Sequence, residues 1–209
     1  MTYHKTRPDL SSKMGSIFFQ GMEEIIGQKG VNAALDNAEL THLVDNYPPY
    51  NSTSAIHLDE LGHVQAALVR LYGLQGSQGL ALRSGRACFK YGLREFGADL
   101  GLTQVSFRML PLSLKLRTAV ALISETLNKA GDQHVDIEED MNNLSLHIES
   151  CPICWGRHSD SPACHLAVGI LQEALYWISS GRYFAVKETD CIATGDQCCT
   201  MVIQKSPLE

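Results

Sequence analysis

The chain has 209 residues, enough for one domain with a substantial core. Apolar residues make up 44% and charged residues 19%, the composition of an ordinary globular protein rather than a disordered or fibrous one. A formal charge of −6 without a dense basic cluster excludes a general attraction to nucleic acid or to an anionic membrane.

No run of about 18 apolar residues exists, and the first ten residues are polar. Membrane insertion is therefore not expected, and the cytoplasm is the expected location. Residues 1–12 read as a flexible tail, ahead of one domain over 13–209 with a helical part (13–131) and a sheet and metal-binding part (132–209).

The spacing of Ile17, Phe18, Met22, Ile25 and Ile26 predicts a helix over 15–26, ended by Gly27 or Gly30. A more polar helical stretch follows over 31–44, then a loop over 46–54 that holds Pro48 and Pro49. Leu61, Val64, Leu68 and Leu71 or Tyr72 fall on one face of a helix over 57–74. A second helix is predicted over 79–97. Its internal Gly85 and Gly92 fit close helix packing better than a phosphate loop, because the glycine spacing matches neither dinucleotide nor P-loop patterns. A third amphipathic helix spans 112–130 and ends at Gly131.

The period then changes from helical to alternating. Val135 and Ile137, then Leu144, Leu146 and Ile148, predict a hairpin turning at 140–143. The acidic run Asp136, Glu138, Glu139 and Asp140 reads as solvated charge. Residues 151–162 form a Cys-, Pro- and Ser-rich loop. A helix follows over 166–178 with Gly181 as its cap, and strands over 183–188 and 200–203 close the chain. The order β-β-loop-α-β-β with short connections implies an α+β fold, with N-terminal helices packed on a small antiparallel sheet.

Six of the seven cysteines follow residue 150. In a reducing compartment such thiols point to metal or redox chemistry rather than to disulfides. Cys151-x2-Cys154 is the one true C-x2-C pair. Glu188-x2-Cys191 and Cys198-Cys199 face each other across the last hairpin, and Cys164 precedes a helix. Adjacent Cys198 and Cys199 on a strand point to opposite sides, so one of them can bind an ion while the other packs. Cys151 and Cys154 are left as an additional metal pair, a redox pair or simply a packed loop. Phe89, Phe107, Tyr176, Trp177 and Tyr183 are candidates for lining an apolar pocket.

From Cys164 to Ile203 the chain resembles the 4-vinyl reductase domain family, whose members include chlorophyll-precursor reductase proteins and hydrocarbon-binding sensors of aromatic compounds. The resemblance rests on Cys164 before a helix, Gly181, Val186-Lys187-Glu188-Thr189-Asp190-Cys191, Gly195-Asp196-Gln197-Cys198-Cys199 and the apolar Val202-Ile203. It implies a fold similar to the ligand-binding fold of NO-signalling and Golgi-transport proteins. It also implies a structural zinc held by Cys164, Glu188, Cys191 and Cys199. Glu188 in a ligand position favours zinc over an iron–sulfur cluster.

Three functions follow from the resemblance. The first is a zinc-braced binding module for a small hydrophobic, aromatic or tetrapyrrole-like ligand, expected as a homodimer. The second is a 4-vinyl reductase or a substrate-carrier accessory in chlorophyll biosynthesis. The third is a dimeric scaffold. No nicotinamide or flavin motif is present, and a closed zinc site supplies no electrons, so binding is preferred to free-standing reduction.

Overall fold

The computed structural model describes residues 9–47 and 56–208. The helix α1 (Ser12–Asn37) opens at Ser11, whose side chain accepts the Met14 N–H. It is two helical pieces joined at Gly27, which has φ 71° and ψ 162°, a backbone conformation open essentially to glycine alone. The break predicted there is thus made without a loop. Helix α2 (Leu58–Phe96) repeats the device at Gly73, with φ 72° and ψ 168°. It begins at His57 with a capping box in which the Glu60 carboxylate accepts the His57 N–H at 3.0 Å. The two helices predicted over 57–74 and 79–97 are therefore one kinked element, without a separate connection.

Strands β1 (Asp9–Leu10) and β2 (Ile56–His57) pair antiparallel. Ser11 N–H also donates to the Ala130 carbonyl at 2.8 Å. The tail expected over 1–12 thus does not extend past residue 8. Residues 1–8, and most of the loop predicted over 46–54, lie outside the described residues.

After the short α3 (Val105–Arg108), α4 (Leu112–Ala130) leads into the sheet. Val135 enters it by exchanging hydrogen bonds with the Asn128 side chain. The sheet comprises β3 (Val135–Glu139), β4 (Asn143–Ile148), β5 (Phe184–Asp190) and β6 (Cys199–Pro207) in the antiparallel order β3-β4-β6-β5. Helix α5 (His165–Ile178) lies between β4 and β5 in sequence. The α+β expectation, with its β-β-loop-α-β-β ending, is borne out.

One sheet face carries Leu144, Leu146, Ile148, Met201 and Ile203 into the core. The register sets Leu146 opposite Met201 and Ile148 opposite Cys199. On the other side of β6, Glu188 pairs with Met201, so Glu188 and Cys199 share the inward face two residues apart. Phe19, Met22, Leu35, Leu58, Leu61 and Leu68 from α1 and α2 complete the core, each adding about 1.5–3 kcal/mol of burial.

Helices α2 and α5 cross at two glycines. Any Cβ at Gly85 would collide with the Leu166 carbonyl oxygen, and any at Gly169 with the Leu82 carbonyl oxygen. This reciprocal fit brings the start of α5, and Cys164 before it, against the helical layer. Among the described residues no helix is long and apolar enough to cross a membrane.

Candidate functional site: a cysteine cluster beside an apolar cavity

Five cysteine sulfurs meet at the junction of the 151–162 loop, the start of α5 and the β5–β6 hairpin. Cys151 Sγ lies 3.5 Å from Cys164 Sγ and Cys154 Sγ 3.2 Å from Cys199 Sγ. Cys164 and Cys199 are 3.7 Å apart, and each lies 4.0 Å from Cys191. All five are buried and none is in a disulfide.

Each sulfur is placed by local structure. Trp155 N–H donates to the Cys151 carbonyl, closing the Cys151-Pro152-Ile153-Cys154 turn. Cys164 is the N-cap residue of α5, where the helix dipole favours negative charge. Cys191 ends β5, and a one-turn 3-10 segment (Ile192–Thr194) with Gly195 at φ 103° returns the chain to Cys199. Asp196 holds this turn by accepting the Cys191 N–H and the Thr194 hydroxyl, both at 2.8 Å. These bonds keep its carboxyl below the usual range. Ile192 N–H donates to Cys199 Sγ.

Glu188 joins the cluster from β5. Its Oε2 accepts the Cys164 N–H at 2.7 Å, while Oε1 is buried without a hydrogen-bond partner. Burial raises its pKa. Cys154 is pulled below the thiol range by the S–H groups of Cys151, Cys164, Cys191 and Cys199.

Two four-donor sets emerge, each with ligand atoms within 4.8 Å of one another: Cys164, Glu188, Cys191 and Cys199, and Cys151, Cys154, Cys164 and Cys199. The first is the predicted zinc set. The second brings in the Cys151 and Cys154 pair that the sequence left without a role. This buried cluster could hold a metal ion. Cys198 points away to the Thr200 hydroxyl, as strand alternation requires. His165, next to Cys164, lines a separate polar pocket with Arg157 and Gln65.

Beside the cluster lies an apolar cavity of about 170 Å³. Phe18 from α1, Phe89 and Leu93 from α2, Leu127 from α4, Leu146 from β4 and Ile170 from α5 contribute to its wall, and Cys151, Pro152 and Ile153 border it. Gly92 opens onto it, with nothing within 4 Å of where a Cβ would stand.

Of the five predicted pocket aromatics only Phe89 lines this cavity, which corrects the expectation for the other four. Phe107 is buried in a neighbouring cluster with Leu102, Ala119 and Ile178, against which Trp177 packs. Tyr176 and Tyr183 stack on each other at 4.8 Å, and Tyr183 is 59% exposed. Aromatic content does not say which face a side chain takes. The i, i+3, i+4, i+7 run Phe89, Gly92, Leu93 and Phe96 does, and all four line the cavity.

The acidic run contains no paired-carboxylate site. Glu139 bonds Arg117 and Lys205, and Asp140 caps the turn through the Asn142 and Asn143 N–H groups. His134, Asp136 and Glu149 come together but are exposed.

Comparison with known proteins bears on both cluster and cavity. Residues 144–205 match the vinyl-4-reductase (V-4-R) domain. The family resemblance read from the sequence is thereby shown over these residues. The matched segment runs from β4 to β6 and contains all five clustered cysteines and Glu188. No curated protein sequence matches the chain.

Solved structures resemble the whole fold. An H-NOX protein from S. oneidensis in the Fe(II)NO ligation state is 15% identical, covering 92% of this chain and 98% of that chain with a TM-score of 0.56. The Fe(II) unliganded H-NOX protein from K. algicida is 13% identical over 93% and 96%, also with a TM-score of 0.56. The phenol-responsive sensory domain of the transcription activator PoxR, with phenol, is 17% identical over 71% and 74%, with a TM-score of 0.51. The vinyl-4-reductase segment thus sits in a sensor-type ligand-binding fold.

Proposed function

We propose that this protein is a sensor module in which residues 13–209 act as one unit. Its enclosed cavity takes a small, single-ring aromatic or comparably sized apolar molecule, and a structural zinc braces the adjoining sheet–helix junction. The observation that carries the reading is the apolar cavity bordered by the cysteine loop.

Its volume of about 170 Å³ selects the ligand class. An apolar cavity near 150 Å³ stays dry and takes up benzene, whereas larger ligands need pockets of roughly 300–1,000 Å³. A tetrapyrrole is therefore disfavoured. Among the described residues no histidine lines the cavity, and burial pushes the Cys88 thiol at its edge up to about 12, which makes it a poor haem ligand at neutral pH. The likeness to a phenol-responsive domain supports the same class.

Cys164, Glu188, Cys191 and Cys199 fit zinc. The unpartnered Glu188 Oε1 is a buried acceptor with no other role. Sulfurs at 3.7 to 4.0 Å match the edge of about 3.8 Å for a tetrahedron of zinc–thiolate bonds. Four protein ligands close the coordination sphere, so the ion would contribute rigidity rather than catalysis.

Thermal unfolding of the purified chain with phenol, cresol and benzene tests the reading. A saturable rise in Tm with one of them is the expected result. A Tm that responds to none of them, in protein whose metal content is full, would remove the ligand proposal.

A further inference from the structure

We propose that the cysteine cluster is a two-metal site, with a second zinc-class ion held by Cys151 and Cys154 and with Cys164 and Cys199 bridging the two ions. This rests on the single-zinc reading above and extends it to the all-cysteine donor set.

Geometry carries the inference. Both donor sets are complete, and they share one edge, Cys164–Cys199 at 3.7 Å. Two tetrahedra joined along such an edge give each ion four ligands: Glu188 and Cys191 as terminal donors on one, Cys151 and Cys154 on the other. The second set's contacts of 3.5 and 3.2 Å lie near the thiolate edge of about 3.8 Å, and far from a disulfide bond of about 2.05 Å.

The loop is built to hold its two sulfurs there. Its turn is closed by the Trp155 N–H. Arg157 Nη1 donates to the Ile153 and Ala163 carbonyls, tying the turn to the segment that ends at Cys164. Gly62 lets α2 approach so closely that a Cβ there would meet the Trp155 carbonyl.

Charge also balances. With one ion, Cys151 and Cys154 are neutral thiols pressed against metal-bound thiolates. A second divalent ion displaces their two protons and leaves the net charge of the cluster unchanged. Because Cys151, Pro152 and Ile153 also border the cavity, the second ion would fix that part of its wall.

The test is metal stoichiometry of the full chain, saturated with zinc, desalted and weighed by native mass spectrometry, with ¹¹³Cd NMR of the cadmium-loaded protein. Two ions per chain and two mutually coupled ¹¹³Cd resonances are expected. A Cys151→Ser/Cys154→Ser double variant should fall to one ion and one resonance. One ion in the saturated wild type would overturn the second site; if that ion survives in the double variant, the single brace stands. One ion lost from the double variant but kept in Cys191→Ser would overturn both readings in favour of a single all-cysteine site. No ion, or iron with inorganic sulfide, also overturns both. The wild-type count decides the matter even if a variant fails to fold.

Discussion

Cys151 Sγ lies 3.5 Å from Cys164 Sγ, and of the two residues only Cys151 also borders the apolar cavity. One side chain thus touches both the cluster and the ligand compartment. A molecule entering the cavity presses on the same turn that carries Cys154, and movement there reaches β6 through Cys199. This contact gives a concrete route by which occupancy could alter a distant surface.

Filling the cavity should separate ligand binding from folding. Gly92→Leu places a side chain where a Cβ meets nothing within 4 Å. The helix gains propensity, about 1 kcal/mol for removing a mid-helix glycine. The expected outcome is an unchanged or higher Tm, full metal content and no response to small aromatics. A variant that still binds them would place the ligand elsewhere.

The helix crossing should tolerate no added methyl. Gly85→Ala and Gly169→Ala each drive a Cβ into a backbone carbonyl of the opposing helix, and backbone cannot rotate aside as a side chain can. Each should cost about 1–3 kcal/mol in urea denaturation. The two costs should be less than additive, because one shift of α5 relieves both contacts.

Glu188→Gln should move the metal-bound and metal-free proteins in opposite directions. The amide is a poor zinc ligand, so the variant should lose metal to a weaker chelator than wild type does. Burial raises the Glu188 pKa, so the folded metal-free chain binds this proton more readily than the unfolded chain. Its stability is then greatest in acid and declines as pH rises through the folded value. The neutral amide escapes that decline. Metal-free Glu188→Gln should therefore be more stable than metal-free wild type at pH 7, with the gap closing in acid. Melting of both proteins with and without chelator, at pH 5 and pH 7, reads this directly.

Glu139 should show the reverse slope. Hydrogen bonds from Lys205 and Arg117 lower its pKa, so its contribution is present above the ordinary carboxylate value, about 4.3, and is lost as pH falls through the folded one. Glu139→Gln should lower stability near neutrality, where the carboxylate joins α4 to β6, and make no difference near pH 2. Melting of both proteins across that range checks it.

Much of this was legible because the signals are local. The β5–β6 hairpin shows as Val186 and Glu188 alternating toward Cys191, followed by the Gly195-Asp196 turn, and strand parity alone separates Cys199 from Cys198. The break in α1 shows as Gly27. Other features are non-local and leave no such trace. The cavity wall takes aliphatic residues from five elements far apart in the chain, so no window contains its pattern, and the conspicuous aromatics Tyr176 and Tyr183 stack on each other elsewhere. Three glycines, Gly73, Gly76 and Gly79, compete for the break in α2, and only backbone geometry assigns it to Gly73. Cys151 and Cys154 enter the cluster because the Gly85–Gly169 crossing and the Gly62 contact seat α5 and the loop against α2, a tertiary fit that spacing does not encode.

Both donor sets include Cys199, which follows every other cysteine in the sequence. A protein made from its N-terminus forward therefore has neither set complete until β6 has been synthesised. Metal capture becomes a test of completion: a chain stalled before β6 can fold its helices, yet it holds neither ion with a full set of ligands. The cluster thus distinguishes finished domains from unfinished ones before any ligand is encountered.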